Sequence, residues 1–279
     1  MNFVFIADFF VDEILGGGEL NNEELILLLS ENSSVIKIKS KDVTSKFLQE
    51  NKDKYFIISN FVQLKEPNKD LLSSTMKYII YEHDHKYLRS RNPALYENYL
   101  APKTEIINYE FYEKAQAIFC QSKFHADILK KNLNLDNIIN LSGNLWSESA
   151  LSMMSKYSKK KKAPKCSILS SNISHKNTVE TVRYCEYQNI PYELVSSNSY
   201  GKFLDKLSNN LKLIFLPKTP ETLSRIVVEA RMMNMGVATN SRVGAASEDW
   251  FDKKGDELIE IMRLKRNEIL EKVIGAFKK

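Results

Sequence analysis

The sequence predicts an α/β protein made of two parallel-sheet domains in tandem. Short runs rich in β-branched and aromatic residues alternate with longer amphipathic stretches along the whole chain. The alternation breaks once, at Lys159-Lys160-Lys161-Lys162, and then restarts. The chain has 279 residues, enough for two modest domains at roughly 100 to 200 residues each.

The first half reads NFVFIA, ELNNEELILLLSE, SVIKI, DVTSKFLQENK, YFIIS and KYIIYE, a βαβαβ rhythm. It continues through AIFCQ, the helical SKFHADILKKNL opened by a capping Ser122, and IINLS. After the lysine run come CSILSS, KNTVETVRYCEYQN, YELVSS, YGKFLDKLSN, LKLIFLP, TLSRIVVEARMM and GVATN. The strands are short and apolar on both faces, as parallel sheets covered by helices require. Apolar residues recur at near-helical spacing from Leu258 to Ile274, which predicts a long terminal helix packing on one or both domains. The expected division is therefore 1–145, a solvated linker over 146–163, a second domain over 164–257 and a C-terminal helix over 258–279.

Composition sets the class. With 43% hydrophobic and 27% charged residues, 9 Gly and 7 Pro, the chain can bury a core and is neither low-complexity nor collagen-like. No apolar run reaches the roughly 18 to 20 residues of a membrane span, and Asp8, Asp12 and Glu13 stand where a secretory segment is apolar. A cytoplasmic protein without stable membrane insertion is expected. Cys120, Cys166 and Cys185 are far apart without CxxC pairing, so buried reduced thiols are expected. Residues 1–145 carry 17 Lys and Arg against 20 Asp and Glu, and the remainder carries 23 against 15, so the second half is the anion-seeking one.

Four stretches hold candidate chemistry. Gly16-Gly17-Gly18-Glu19 lies between a strand and a helix, where glycines allow close backbone approach and helix N–H groups face an anion. Glu82-His83-Asp84-His85 follows a strand and precedes Lys86, Arg89 and Arg91, suiting acid/base or hydrogen-bonding work. A metal held by the two histidines is a further reading, weakened because no other His/Cys/Asp cluster of suitable spacing appears. Asn172, Ser174, His175 and Lys176 fall in a strand-to-helix turn, where a lysine opposes the helix dipole unless an anion binds there. Glu221 and Glu229 are eight positions apart, and Glu229 interrupts the apolar Ile226-Val227-Val228 and Ala230, a costly place for a carboxylate unless it meets hydroxyls or a cation.

This last stretch resembles the E-x7-E region of the retaining glycosyltransferases of the GT-B fold, in particular the family-4-like group. The resemblance covers most of the chain and is strongest over about 30 residues from Leu216. It implies two Rossmann-like domains facing across a cleft, with the nucleotide sugar on the second. It implies that Glu221 lies against the donor sugar and that Glu229 accepts hydrogen bonds from the ribose. Leu223 and Ser224 match a Phe-Gly pair whose amides meet the donor phosphates, and Lys176 matches a lysine on the diphosphate. The loop holding Gly17 and Gly18 matches one facing the donor, and His83 matches a histidine near the reacting sugar. Asp84, His85 and Arg89 would then lie on the acceptor side. Two positions depart from the pattern. Asn234 replaces a usual glycine and tolerates the same left-handed backbone. Ser171 replaces a usual arginine, leaving Asn172 or Arg225 to compensate.

The resemblance implies a metal-independent hexosyl- or pentosyltransferase that takes a nucleoside diphosphate sugar as donor, needs no cofactor, and glycosylates a hydroxyl of a glycan or similar acceptor. Two alternatives stand beside it: transfer to a modified base in DNA, suggested by Lys86, Arg89 and Arg91, and a non-catalytic nucleotide- or glycan-binding protein of the same fold.

Overall fold

The computed structural model describes residues 1–278. It contains two compact units, Met1–Leu145 together with the stretch from Arg266 on, and Trp146–Lys265. Each is built on one parallel sheet.

The first unit holds β1 (Asn2–Ala7), α1 (Gly17–Ser30), β2 (Ser34–Lys39), α2 (Ser45–Glu50), β3 (Tyr55–Ile58), α3 (Glu66–Thr75), β4 (Lys77–Tyr81), α4 (Tyr109–Glu113), β5 (Ile118–Cys120), α5 (Lys123–Leu133) and β6 (Ile138–Asn140). Its sheet runs β2-β1-β3-β4-β5-β6. Side chains alternate across the pleat. Val4, Ile6, Phe56, Ile58, Tyr78 and Ile80 enter the core on one face, while Phe3, Phe5, Ile57, Ile79 and Tyr81 enter the core on the other. Both faces are buried, which explains why these strands read as continuous apolar runs. Ser122 caps α5 by accepting from His125 N at 3.1 Å, and the helix ends at Asn134 in the left-handed region, φ 52°.

The second unit holds α6 (Glu148–Ser158), β7 (Ala163–Leu169), α7 (Thr178–Tyr187), β8 (Tyr192–Val195), α8 (Tyr200–Leu207), β9 (Asn210–Phe215), α9 (Arg225–Met232), β10 (Gly236–Thr239) and α10 (Gly255–Ala276). Its sheet runs β10-β9-β7-β8. Leu213 and Phe215 pack on one face with residues of α6, α8 and α9, and Cys166, Ile168 and Ile214 pack on the other with Cys185. The three cysteines are free and buried.

Two boundaries differ from the sequence reading. The stretch 146–163 is not a solvated linker: it carries α6, and Trp146, Ala150, Leu151 and Met154 are buried in the core of the second unit. Some of its lysines are engaged as well: Lys160 pairs Asp205 at 2.9 Å and Lys162 Nζ donates to Tyr157 O at 3.0 Å. The terminal helix starts at Gly255, and its residues divide between the units. Leu258, Ile259 and Met262 join the core of the second unit, whereas Ile269, Val273, Ala276 and Phe277 join that of the first. No described helix is long and apolar enough to cross a membrane.

Candidate active site

Both sheets reverse their order at one place, between β1 and β3 in the first unit and between β7 and β9 in the second. In open parallel sheets the loops leaving the carboxyl ends at such a point diverge and leave a crevice for a ligand. Lys176 and Glu221 follow the two strands at the second point, and Gly17 and Gly18 follow β1 at the first, with His83 after β4.

In the second unit, the loop after β7 carries Lys176 in a single turn, Ser174–Lys176, followed by Asn177 at φ 63°. Asn177 Nδ2 donates to Leu216 O at 2.7 Å, and Lys218 N donates to His175 O at 2.9 Å, tying this loop to the one after β9. The tie brings Lys176 to Glu221: Nζ donates to Oε1 at 2.8 Å and to Oε2 at 2.9 Å. Glu221 is fixed through its backbone, with its N–H donating to Arg242 O and its carbonyl accepting from Gly244 N. Leu223 is fully buried and its carbonyl accepts from Ala245 N. Ser224 precedes α9 at φ 75°, ψ 83°, the conformation for which a glycine is suited. Its hydroxyl is buried without a partner among the described residues. The first N–H groups of α9 have no intrahelical acceptor and suit an anion.

Glu229, one turn further along α9, is 2% exposed. Its Oε1 accepts from Trp146 Nε1 at 3.1 Å and from Tyr200 Oη at 2.7 Å, with Arg225 Nε 3.4 Å away. The Arg225 guanidinium also stacks on Trp146, 4.4 Å from the ring centroid. Burial together with the Glu229 charge pushes the Tyr200 hydroxyl well above its ordinary pKa, so Tyr200 stays a donor. Two donors on one oxygen and the guanidinium charge beside it account for a buried carboxylate. Asn172 is exposed in the loop after β7, and Ser171 Oγ accepts from Ile173 N at 3.2 Å.

In the first unit, Gly17 and Gly18 begin α1, and the Glu19 carboxylate folds back into the space a Cβ on Gly16 would need. Burial raises the pKa of Glu19. A Cβ on Gly18 would stand 3.6 Å from His83 Cγ, ordinary van der Waals contact, so the helix start lies directly over the imidazole. The ring is held at both nitrogens: Nε2 lies 2.6 Å from Asn22 Oδ1, and Nδ1 meets Gln121 Nε2. Because an amide oxygen only accepts, Nε2 carries the proton and Nδ1 accepts, which is the neutral tautomer. Tyr81 packs edge-on against the ring at 5.1 Å.

The rest of the Glu82–His85 stretch faces elsewhere. Glu82 is fully buried and accepts from Lys86 Nζ, Tyr112 Oη and Asp84 N; burial raises its pKa against the pull of Lys86. Asp84 lies 3.4 Å from Arg91. His85 is 2% exposed, packs edge-on against His125 and Tyr87, and has no hydrogen-bond partner at either nitrogen among the described residues. Burial, helped by the Lys86 charge, lowers its pKa to about 3. Expected on the acceptor side, its ring is instead enclosed by core side chains and away from solvent. His125 holds the Asp84 carbonyl through Nε2 at 3.1 Å. Among the described residues, no group of three His, Cys, Asp or Glu is arranged to hold a metal ion.

The structure thus joins Lys176 to Glu221 and Gly18 to His83. It adds Trp146, Tyr200, Asn22 and Gln121, none of which the sequence reading singled out. Asn21 and Asn22 did carry a signal: two adjacent amides on the buried side of α1, where Asn21 Nδ2 donates to Tyr81 Oη at 3.0 Å.

No protein-family model matches the sequence, and no curated protein matches it. Solved structures do. An α-glucosyltransferase in complex with UDP and a 13-mer DNA containing a HMU base matches with a TM-score of 0.55 and 13% identity, over 99% of this chain and 95% of that one. Anabaena HepE in complex with UDP and glucose matches with a TM-score of 0.58 and 12% identity, over 96% and 90%. A glycosyltransferase from Rickettsia africae matches with a TM-score of 0.55 and 13% identity, over 99% and 97%. At such identities the likeness is one of fold: the two parallel Rossmann-like sheets of this chain have the GT-B fold.

Proposed function

We propose that the protein is a retaining glycosyltransferase that moves a sugar from a uridine diphosphate sugar to an acceptor hydroxyl. The observation that carries this reading is the buried Glu229, whose Oε1 is engaged by Trp146 and Tyr200, which leaves Oε2 to accept from a ligand. A ribose diol is the complement of such a carboxylate. The choice of uridine draws on the UDP complexes of two similar structures.

In this reading the bond from the sugar's anomeric carbon to the diphosphate breaks while the acceptor oxygen bonds the same carbon from the same face. The acceptor's proton passes to an oxygen of the leaving diphosphate. Lys176 and the first amides of α9 stabilise the charge that develops there. Glu221 positions the sugar. His83, with both nitrogens engaged inside the protein, orients the α1 start and presents a ring face rather than a proton. Catalysis that rests on Lys176 should survive a chelator.

Glu229→Gln tests the reading better than alanine, because it keeps Oε1 for Trp146 and Tyr200 and replaces only the free acceptor. It should weaken UDP binding by about 1.5 to 3 kcal/mol in calorimetry, the scale of a charge-assisted hydrogen bond. Unchanged affinity in the folded variant would remove the ribose role. A base in DNA is the second reading, favoured by the match to the DNA-bound α-glucosyltransferase. Transfer of labelled sugar to DNA containing HMU but not to glycans would select it, and UDP binding without transfer would select the non-catalytic protein.

A further inference from the structure

We infer that a pocket of the first unit takes an anionic acceptor, a small hydroxyl compound bearing a phosphate group; the inference rests on the glycosyltransferase reading and names the class of its second substrate. The cavity measures about 570 Å³, and its lining includes Phe61, Lys69, Lys86, Arg89, Arg91 and Asn108. That volume suits one sugar- or polyol-sized molecule.

Its walls are cationic in a half of the chain where acidic residues outnumber basic ones. Two lysines form the inner wall. Lys69 is 7% exposed and Lys86 is 2% exposed. Lys69 Nζ donates to Glu66 Oε1 at 2.6 Å and Asn108 Oδ1 at 2.8 Å, while Lys86 Nζ meets Glu82 and Asn60. An ammonium has three N–H donors, so each lysine has one beyond the two partners named. Phe61 lies between them, its ring 5.9 Å from one Nζ and 5.4 Å from the other.

Two arginines stand at the exposed rim. Arg91 reaches Asp84 only at 3.4 Å, and the Arg89 guanidinium has no partner among the described residues. Paired off, the three anions Glu66, Glu82 and Asp84 balance Lys69, Lys86 and Arg91, leaving the planar fork of Arg89 in excess. A phosphate is the matching guest.

The loop is set rather than floppy. Arg91 adopts φ 52°, strained for a residue with a side chain. Arg89 N donates to Glu105 O, Ile107 N donates to Tyr87 O, and Asn108 Nδ2 donates to Lys86 O. Through Lys86 and Asn60 the pocket adjoins the Gly18–His83 contact, since Asn60 Nδ2 is 3.9 Å from a Cβ placed on Gly18. An acceptor anchored by its phosphate on Arg89 would thus hold its hydroxyl beside the ring expected to attend the reacting sugar.

The test is calorimetry on the full chain with three probes, namely glycerol 1-phosphate, glycerol and a single-stranded oligonucleotide, and a separate titration with UDP. Glycerol 1-phosphate should bind and glycerol should not. Arg89→Ala should weaken glycerol 1-phosphate binding about tenfold or more. Arg89→Lys should recover part of the loss, and UDP affinity should be unchanged in both. Phosphate binding that is absent, or equal in wild type and Arg89→Ala, would overturn the inference while leaving UDP binding to judge the donor reading alone. An oligonucleotide that binds more tightly than glycerol 1-phosphate and loses affinity in Arg89→Ala would replace the small acceptor with a nucleic acid. Glycerol 1-phosphate binding without UDP binding would sustain the pocket and sink the donor reading.

Discussion

Ser224 shows how one side chain records a functional constraint. A non-glycine residue in the left-handed region costs about 1 to 2 kcal/mol, and a buried unpartnered hydroxyl adds about 1 to 3 kcal/mol. Glycine would lose up to about 1 kcal/mol through greater freedom in the unfolded chain. Ser224→Gly should therefore stabilise the protein by about 1 kcal/mol or more in chemical denaturation; a destabilised variant would mean that the hydroxyl has a partner in solution. The Lys176–Glu221 pair makes a second residue-scale prediction. It is part-exposed, at 25% and 12% side-chain exposure, so holding it is worth about 0 to 1 kcal/mol. Glu221→Gln should release Lys176 to the diphosphate, raising UDP affinity up to about fivefold while lowering turnover. A fall in both would show the glutamate binding the nucleotide itself. His83 differs from both, because its ring satisfies Asn22 and Gln121. His83→Ala should cost about 1 to 3 kcal/mol of stability besides its loss of turnover. A thermal midpoint equal to that of wild type would show that this network does not hold the ring.

At the scale of elements, legibility followed periodicity and burial. The strands were readable because parallel pairing buries both faces, and α5 because Ser122 and an apolar stripe mark its start and inner side. The helix α6 was not, because Ser-rich SESALSMMSKYS and the lysines after it look like a solvated connector. Its buried set is only Ala150, Leu151 and Met154, and their partners come from α8 and α9 far along the chain. Likewise the site motifs were visible where a carboxylate broke an apolar run, as at Glu229, and invisible where an aromatic supplied the polar tip. Trp146 and Tyr200 read as core residues until their N–H and O–H meet the Glu229 carboxylate. Leu151→Ala checks that α6 belongs to the second unit. Its side chain is fully buried, so a loss of about 2 to 5 kcal/mol is expected. A loss under 1 kcal/mol would return the segment to a linker.

For the whole molecule, the two units should answer different solutes. His85 sits in the core of the first unit with its pKa lowered to about 3 from 6.5 by burial. The folded form thus binds fewer protons than the unfolded chain, so stability is intact above pH 6.5 and falls as the pH drops from there toward 3. At pH 5 the penalty is about 2 kcal/mol for this group, and the second buried histidine, His125, is shifted the same way. UDP acts on the second unit in the proposed reading, adding about 2.7 kcal/mol at one hundred times its dissociation constant. The protein provides its own reporter, since both tryptophans, Trp146 and Trp250, belong to Trp146–Lys265. At pH 5 with UDP, denaturant unfolding followed by tryptophan fluorescence should shift to higher midpoint. Hydrogen exchange at Ile57, Ile79 and Phe119 should instead speed up relative to pH 7.5 after correction for intrinsic rates. His85→Phe should remove part of that acid loss. Fluorescence that ignores UDP would count against the donor site, and exchange in the β3–β5 strands that ignores pH would show that His85 is protonated or solvated in the folded protein.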